Sequence, residues 1–205
     1  MSYLSIGSGD VGNLLSGKQT KGYADLWRKF LSDSAPYYNA FASPIDALRT
    51  GAILESAYSN YLSDDYFIQI KRTCPTMDVF TSSIDFGKFS GGNLVDFDEL
   101  KTIFFPDYIE LIKPICDLDE KEQIKVLKKK FKKNYQQVQF QLLCSGLESA
   151  NLVFLSVESY EDQVNESRVI RDEDVTKFRI KRDPQVINFI LERGDIFQKV
   201  KDNFK

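Results

Sequence analysis

Apolar residues recur along this chain with two different periods, and the changes from one period to the other outline its elements. A spacing of three or four marks a helix with one buried face, whereas alternation marks a strand with one buried face. Helical spacing runs from about Asp10 to Leu15, from Tyr23 to Leu31, and again over Ser43 to Leu62, SPIDALRTGAILESAYSNYL. In that third helix Ser43 is the N-cap, Pro44 suits the first helical position, and Asp46 completes a start resembling a capping box. Three runs rich in Phe, Ile, Val and Thr follow with partial alternation, Tyr66 to Lys71, Met77 to Phe86 and Leu94 to Ile103, and read as strands. Helical spacing returns from Leu118 to Lys133 and from Tyr135 to Ser145. A strand from Leu152 to Val157, a hairpin-like segment and a final helix from Pro184 to Phe204 complete the chain. This order predicts an α/β or α+β fold with a central mixed β-sheet flanked by helices.

Charged residues interrupt the pattern most informatively between Thr81 and Ile103. Asp85 ends one strand, a glycine-containing turn follows, and the next strand carries Glu99-Leu100-Lys101. Alternation turns Glu99 and Lys101 to one face and Leu100 to the other, where it can pack, and pairing of the two strands brings Asp85 alongside. Two carboxylates suit a hard divalent cation such as Mg²⁺, which keeps several waters and can also touch a phosphate. An ammonium beside them can orient or help deprotonate the attacking water of phosphodiester hydrolysis. Glu-x-Lys equally fits a solvated edge strand, so the stretch by itself leaves both readings open.

Upstream, Glu55 shares a helical face with Leu48, Ala52 and Leu62. A carboxylate among apolar neighbours requires a cation or hydrogen bonds, so Glu55 is either a site residue or half of an interior ion pair. Gly51, one turn earlier, removes a side chain at a cost in helix stability, which points to close approach of a strand or ligand backbone.

Taken together, Arg49-Thr-Gly51-Ala-Ile-Leu-Glu55, Ile84-Asp85, Glu99-Leu-Lys101 and Tyr135-Gln-Gln137-Val-Gln139 resemble the PD-(D/E)XK nuclease superfamily. The branch they look most like is that of the phage lambda-exonuclease and YqaJ-type recombination nucleases. That pattern is a G-x-x-x-E helix, an aspartate strand, an E-x-K strand and a Tyr/Gln helix, and all four elements occur here in order. The opening SGDVGNLLSGK and the closing VIRDEDVTKFRIKRD with its following helix extend the likeness over most of the chain. Two departures stand out: Ile84 occupies the place of the proline in the superfamily's name, and Tyr135 precedes Gln137 by two residues where the pattern has three.

The resemblance implies a restriction-endonuclease-like core and a Mg²⁺-dependent exonuclease, with Mn²⁺ able to substitute. Its substrate would be duplex DNA ends, trimmed to expose single strand for recombination. It implies metal binding by Asp85 and Glu99, an acidic supporting role for Glu55, a catalytic role for Lys101 and positioning by Gln137, with Tyr135 near the DNA. A single-strand annealing protein as partner, a homo-oligomeric ring and a phage origin in a bacterial cytoplasm follow from the same likeness. An endonuclease of the same superfamily, or a binding module with a vestigial site, are the alternatives.

Composition agrees with one nuclease domain over residues 1–205, because 205 residues with 42% hydrophobic content can bury a substantial core. No apolar run long enough to span a membrane and no secretory leader pattern is present, so a cytoplasmic protein without membrane association is expected. The three cysteines, Cys74, Cys116 and Cys144, are widely separated and read as reduced thiols. They are too few for the four-cysteine iron–sulfur cluster of some neighbouring nucleases. With no histidine, a Ser-His-Asp triad and a His/Cys zinc site are excluded.

Net charge is −3, but a polyanion responds to the local field. Lys121, Lys125, Lys128 and Lys132 recur at helical spacing beside an apolar stripe of Ile124, Leu127 and Phe131. That basic stripe suits either a phosphate backbone or a solvated surface. Lys18, Lys21, Arg28 and Lys29 surround Trp27 and with Arg49 could receive a terminal phosphate or stack on an end base, whereas Trp27 itself also reads as core.

Overall fold

The computed structural model describes residues 4–32, 47–158, 165 and 167–204, with backbone alone at 47–50 and 52. The predicted cap at Ser43, Pro44 and Asp46 lies outside the described residues, as do the side chains of Leu48, Arg49 and Ala52. Among the described residues six strands make one mixed sheet: β1 (Ile6–Gly7), β2 (Tyr66–Thr73), β3 (Phe80–Ser90), β4 (Asn93–Phe104), β5 (Ser149–Val157) and β6 (Val175–Lys181). Their order is β1-β3-β4-β5-β6, with β2 on the other edge of β3. β2, β3 and β4 form an antiparallel meander, β5 runs parallel to β4, and β6 returns antiparallel to β5. The helices are α1 (Val11–Leu14), α2 (Lys21–Leu31), α3 (Ala47–Tyr61), α4 (Phe105–Asp107), α5 (Lys113–Cys116), α6 (Glu120–Lys130), α7 (Lys132–Ser145) and α8 (Pro184–Asn203). The mixed sheet flanked by helices is the architecture that the hydrophobic pattern predicts.

Alternation along β5 divides the core between the two faces of the sheet. Leu152 and Phe154 pack with Phe97 and Phe178 beneath Val138 and Leu142 of α7. Val153, Leu155 and Val157 pack with Phe86 and Leu100 beneath Leu54, Ala57 and Tyr58 of α3. Burying each such side chain stabilises the fold by roughly 1.5–3 kcal/mol, so both helices are firmly held. A third cluster gathers α1, α2 and α8 around β1, where Trp27 stacks on Phe197 with ring centroids 4.0 Å apart. Trp27 is half-buried and packs against this cluster. Gly194 permits the close approach of α8, since a Cβ there would lie 2.0 Å from Cζ of Phe80.

Asp98, fully buried, anchors α3 to the sheet. Its carboxylate accepts from the Tyr58 hydroxyl at 2.8 Å, the Asn151 amide at 2.7 Å and the Lys177 ammonium at 2.8 Å. A buried carboxylate met this fully carries little net penalty, whereas removing one donor would leave it exposed to the full desolvation cost.

The structure departs from the sequence reading in several places. β3 begins at Phe80 and runs to Ser90, so Met77 and Asp78 form the turn before it. β1 is too short to show alternation. A helical segment at 105–116 was not anticipated, because Pro106 and Pro114 punctuate it; each sits in the first turn of its piece, where no N–H is needed, and a π-helical turn (Tyr108–Ile112) joins them. The long basic helix divides at Phe131, whose backbone (φ −116°, ψ 38°) is not helical. Lys132 therefore opens α7 and does not continue the lysine stripe of α6. Among the described residues the hairpin-like segment contributes the strand β6. Among the described residues no helix is long and apolar enough to cross a membrane. Cys74 and Cys144 are buried free thiols and Cys116 is exposed.

Candidate active site

The site begins where two strands part. The β3–β4 ladder ends at the pair Phe86 and Asp98, while β2 continues along the other edge of β3 as far as Thr81. In the resulting fork Oδ2 of Asp85 accepts from the Leu100 N–H at 2.9 Å, so a side chain takes the place of a ladder carbonyl. β3 also rolls over at this point. Ile84 packs in the cluster under α7, and Phe86, two residues later, packs under α3.

Glu99 is fully buried and held at both oxygens. Oε1 receives the Lys101 ammonium at 2.5 Å, and Oε2 accepts from Nε2 of Gln141 on α7. The same Gln141 nitrogen donates to the Ser83 carbonyl at 2.9 Å, which fixes α7 against β3. Its Oε1 is buried without a partner. Leu100 points away and packs in the α3 cluster.

The charges of this group are strongly coupled. Burial, then the neighbouring Glu99 carboxylate, pushes Asp85 up to about 8, although Lys101 and the Leu100 N–H oppose the rise. Burial alone would lower the Lys101 ammonium, but Glu99, Asp85 and Glu55 together outweigh it and leave Lys101 above its ordinary value. Lys101 therefore stays protonated at neutral pH. Two carboxylates near enough for one to hinder the ionisation of the other form a donor set that suits a divalent cation. Among the described residues no group of three or more carboxylates and thiols is disposed to hold a metal ion by itself.

Glu55 stands at the margin of this group. It is half-buried, because the inward stripe of α3 runs through Leu54, Ala57 and Tyr58, and Glu55 falls at its edge. Its Oε2 accepts from Nε2 of Gln69 at 2.8 Å, and it raises both Asp85 and Lys101 electrostatically. No strand approaches Gly51 closely, since a Cβ there would meet nothing within 4 Å among the described residues.

Of the residues singled out from sequence, Asp85, Glu99, Lys101 and Glu55 come together. The α7 glutamine in hydrogen-bond contact with them is Gln141, on Glu99; Gln137, one helical turn earlier, is half-buried. The repeated glutamines of YQQVQFQ were a signal for this helix face, but the choice among them depended on how α7 docks. Tyr135 belongs to a different cluster. Its hydroxyl donates to Asp183 at 3.2 Å, Lys128 pairs with the same carboxylate at 2.7 Å, and Asp183 caps α8 through the Gln185 and Val186 N–H groups. Lys125 pairs with Glu122 at 3.4 Å and exposed Arg28 with Asp25 at 2.6 Å, while Lys132 is exposed. Beside the site, a cavity of about 540 Å³ is lined by Ser8, Lys29, Lys71, Arg72 and Ser83 among others. Lys71 and Arg72 carried no pattern that set them apart in the sequence.

The architecture has solved counterparts. It is shared with exonucleases. An alkaline exonuclease from Laribacter hongkongensis superposes with a TM-score of 0.59 at 17% identity, covering 99% of this chain and 92% of that one. The same exonuclease in complex with dAMP gives 0.62 at 17% identity, covering 98% and 92%. A phage-related exonuclease from Haemophilus somnus 129PT gives 0.55 at 16% identity, covering 98% and 95%. No family model matches the chain, and no curated protein matches it in sequence.

Proposed function

We propose that the protein is a Mg²⁺-dependent deoxyribonuclease that degrades duplex DNA from its ends and leaves single strand for recombination. The observation that carries this reading is the convergence of Asp85, Glu99 and Lys101 in the fork between β3 and β4, with Glu55 at its margin. The fold shared with proteins described as exonucleases along nearly their whole length supports it.

Asp85 and Glu99 are the residues that would hold the cation, with Glu55 close enough in charge to act on it or its water shell. When bound, Mg²⁺ would supply a Lewis acid that stabilises charge building on phosphorus and lowers the pKa of attacking water. The chain's own contribution is preorganisation. The Leu100 N–H and the Gln141 amide fix the two carboxylates before substrate arrives. Lys101, protonated and anchored on Glu99, presents N–H groups that orient the attacking water or meet a phosphate oxygen, so it acts as a donor. The neighbouring cavity would offer Lys71 and Arg72 to a phosphate backbone leading to Ser83, while Lys29 on its wall is already paired with Asp10 at 2.6 Å.

Lys101→Ala tests this directly. Cleavage of end-labelled duplex in Mg²⁺ is expected to fall by about 10²-fold or more, on the scale of losing a donor aimed at developing charge, while circular dichroism stays unchanged. Comparing 5′ and 3′ labels with a covalently closed circle separates end-dependent from internal cleavage. Undiminished hydrolysis by the variant would refute the assignment.

A further inference from the structure

Gln69 is the one non-glycine residue among those described with left-handed backbone, at φ +55°. An L-residue is held in that region only when its surroundings over-determine it. The β2–β3 ladder passes over it: Ile68 pairs with Phe86 and Ile70 with Ile84, leaving Gln69 opposite Asp85 at the point where β3 rolls over. Both ends of its exposed amide are engaged at the site. Nε2 donates to Glu55 Oε2 at 2.8 Å, and Oε1 accepts from the Ser83 hydroxyl at 3.0 Å. Ser83 continues the connection, because its carbonyl accepts from Gln141, which in turn donates to Glu99. Polar contacts from Glu55 to Gln69 to the Ser83 hydroxyl, and from the Ser83 carbonyl to Gln141 to Glu99, thus join the helical acid to the strand acid around Asp85 through Ser83. Were the kink alone required, glycine would supply it without strain. The amide is what glycine lacks.

We infer that Gln69 is a positioning residue that holds the Glu55 carboxylate toward the Asp85 and Glu99 pair, its left-handed backbone being retained for that amide. The inference rests on the nuclease reading above and acts on divalent-cation binding through Glu55, without contact to substrate.

Gln69→Gly keeps the backbone and removes the amide; Gln69→Asn tolerates the same backbone, but its shorter amide does not reach both partners. Calorimetric titration with Mn²⁺ reads binding apart from cleavage, and urea denaturation monitors the fold. Both variants should remain folded, bind Mn²⁺ roughly 10–100-fold more weakly, as for loss of an outer-shell partner, and lower kcat while KM for duplex stays unchanged. In a Glu55→Gln background, Gln69→Gly should add little further loss. Wild-type Mn²⁺ affinity in Gln69→Gly, or a full additional loss in the Glu55→Gln background, would overturn the inference and leave the nuclease reading intact. A wild-type protein that neither binds Mn²⁺ nor cleaves DNA would overturn both.

Discussion

In the metal-free protein at neutral pH, Asp85 carries an electrostatic cost that asparagine in its place would remove. Burial, and next the Glu99 carboxylate, raises Asp85 from 3.8 to about 8. The unfolded chain releases this proton near 3.8 and the folded chain keeps it to about 8, so folding takes up a proton between those values. Stability therefore falls as pH rises through that window and levels off above it, the reverse of an ion-paired carboxylate. Each pH unit corresponds to about 1.4 kcal/mol, which gives an upper bound of about 4 kcal/mol at pH 7. Asp85 is partly exposed, so solvent screens part of the repulsion and brings the cost to about half that bound, roughly 2 kcal/mol. Asparagine retains an oxygen for the Leu100 N–H, so the backbone contact survives. Thermal unfolding in EDTA should place Asp85→Asn above wild type by about 4–8 °C at pH 7, at roughly 2–4 °C per kcal/mol for a chain of 205 residues. The gap should widen from pH 5 to pH 8, and the stabilised variant should have lost cleavage. A variant no more stable than wild type at pH 7, or a gap that does not grow with pH, would refute the reasoning.

Gln141→Leu should keep the fold yet reduce Mg²⁺-dependent cleavage about 10–100-fold, as expected for removal of a group that holds a ligand in place. Gln137→Ala in the same assay should change it far less. For Asp183, burial alone would raise the carboxyl, but Lys128, the Val186 N–H and Tyr135 hold it below the ordinary carboxylate range. Its stabilisation is thus present above the unfolded value and disappears as pH falls through the folded one. Asp183→Ala should cost about 1–2 kcal/mol at pH 7 through the lost cap of α8, with the difference in urea midpoint closing in strong acid. A difference independent of pH would show that the carboxylate charge is not involved.

The order of helices and strands was legible in the sequence because it rests on periodicity, which is a property of a few neighbouring residues. The Glu99-Leu100-Lys101 run already implied that Leu100 packs and the two charges share the other face, since a strand side chain has only two directions. Even the glutamine-bearing face of α7 was marked by its repeats. What the sequence left open were the elements whose cause is not periodic: the two-residue β1, the proline-punctuated helix at 105–116 and the break at Phe131. The composition of the site was likewise open. Gln141 meets Glu99 across 42 positions and Gln69 meets Glu55 across 14, so neither contact is encoded in a local window. Those partners depend on how α7 and β2 dock against a strand that rolls at Asp85. That roll is set by the combined packing of two cores on opposite faces of the sheet, which only the assembled tertiary structure determines.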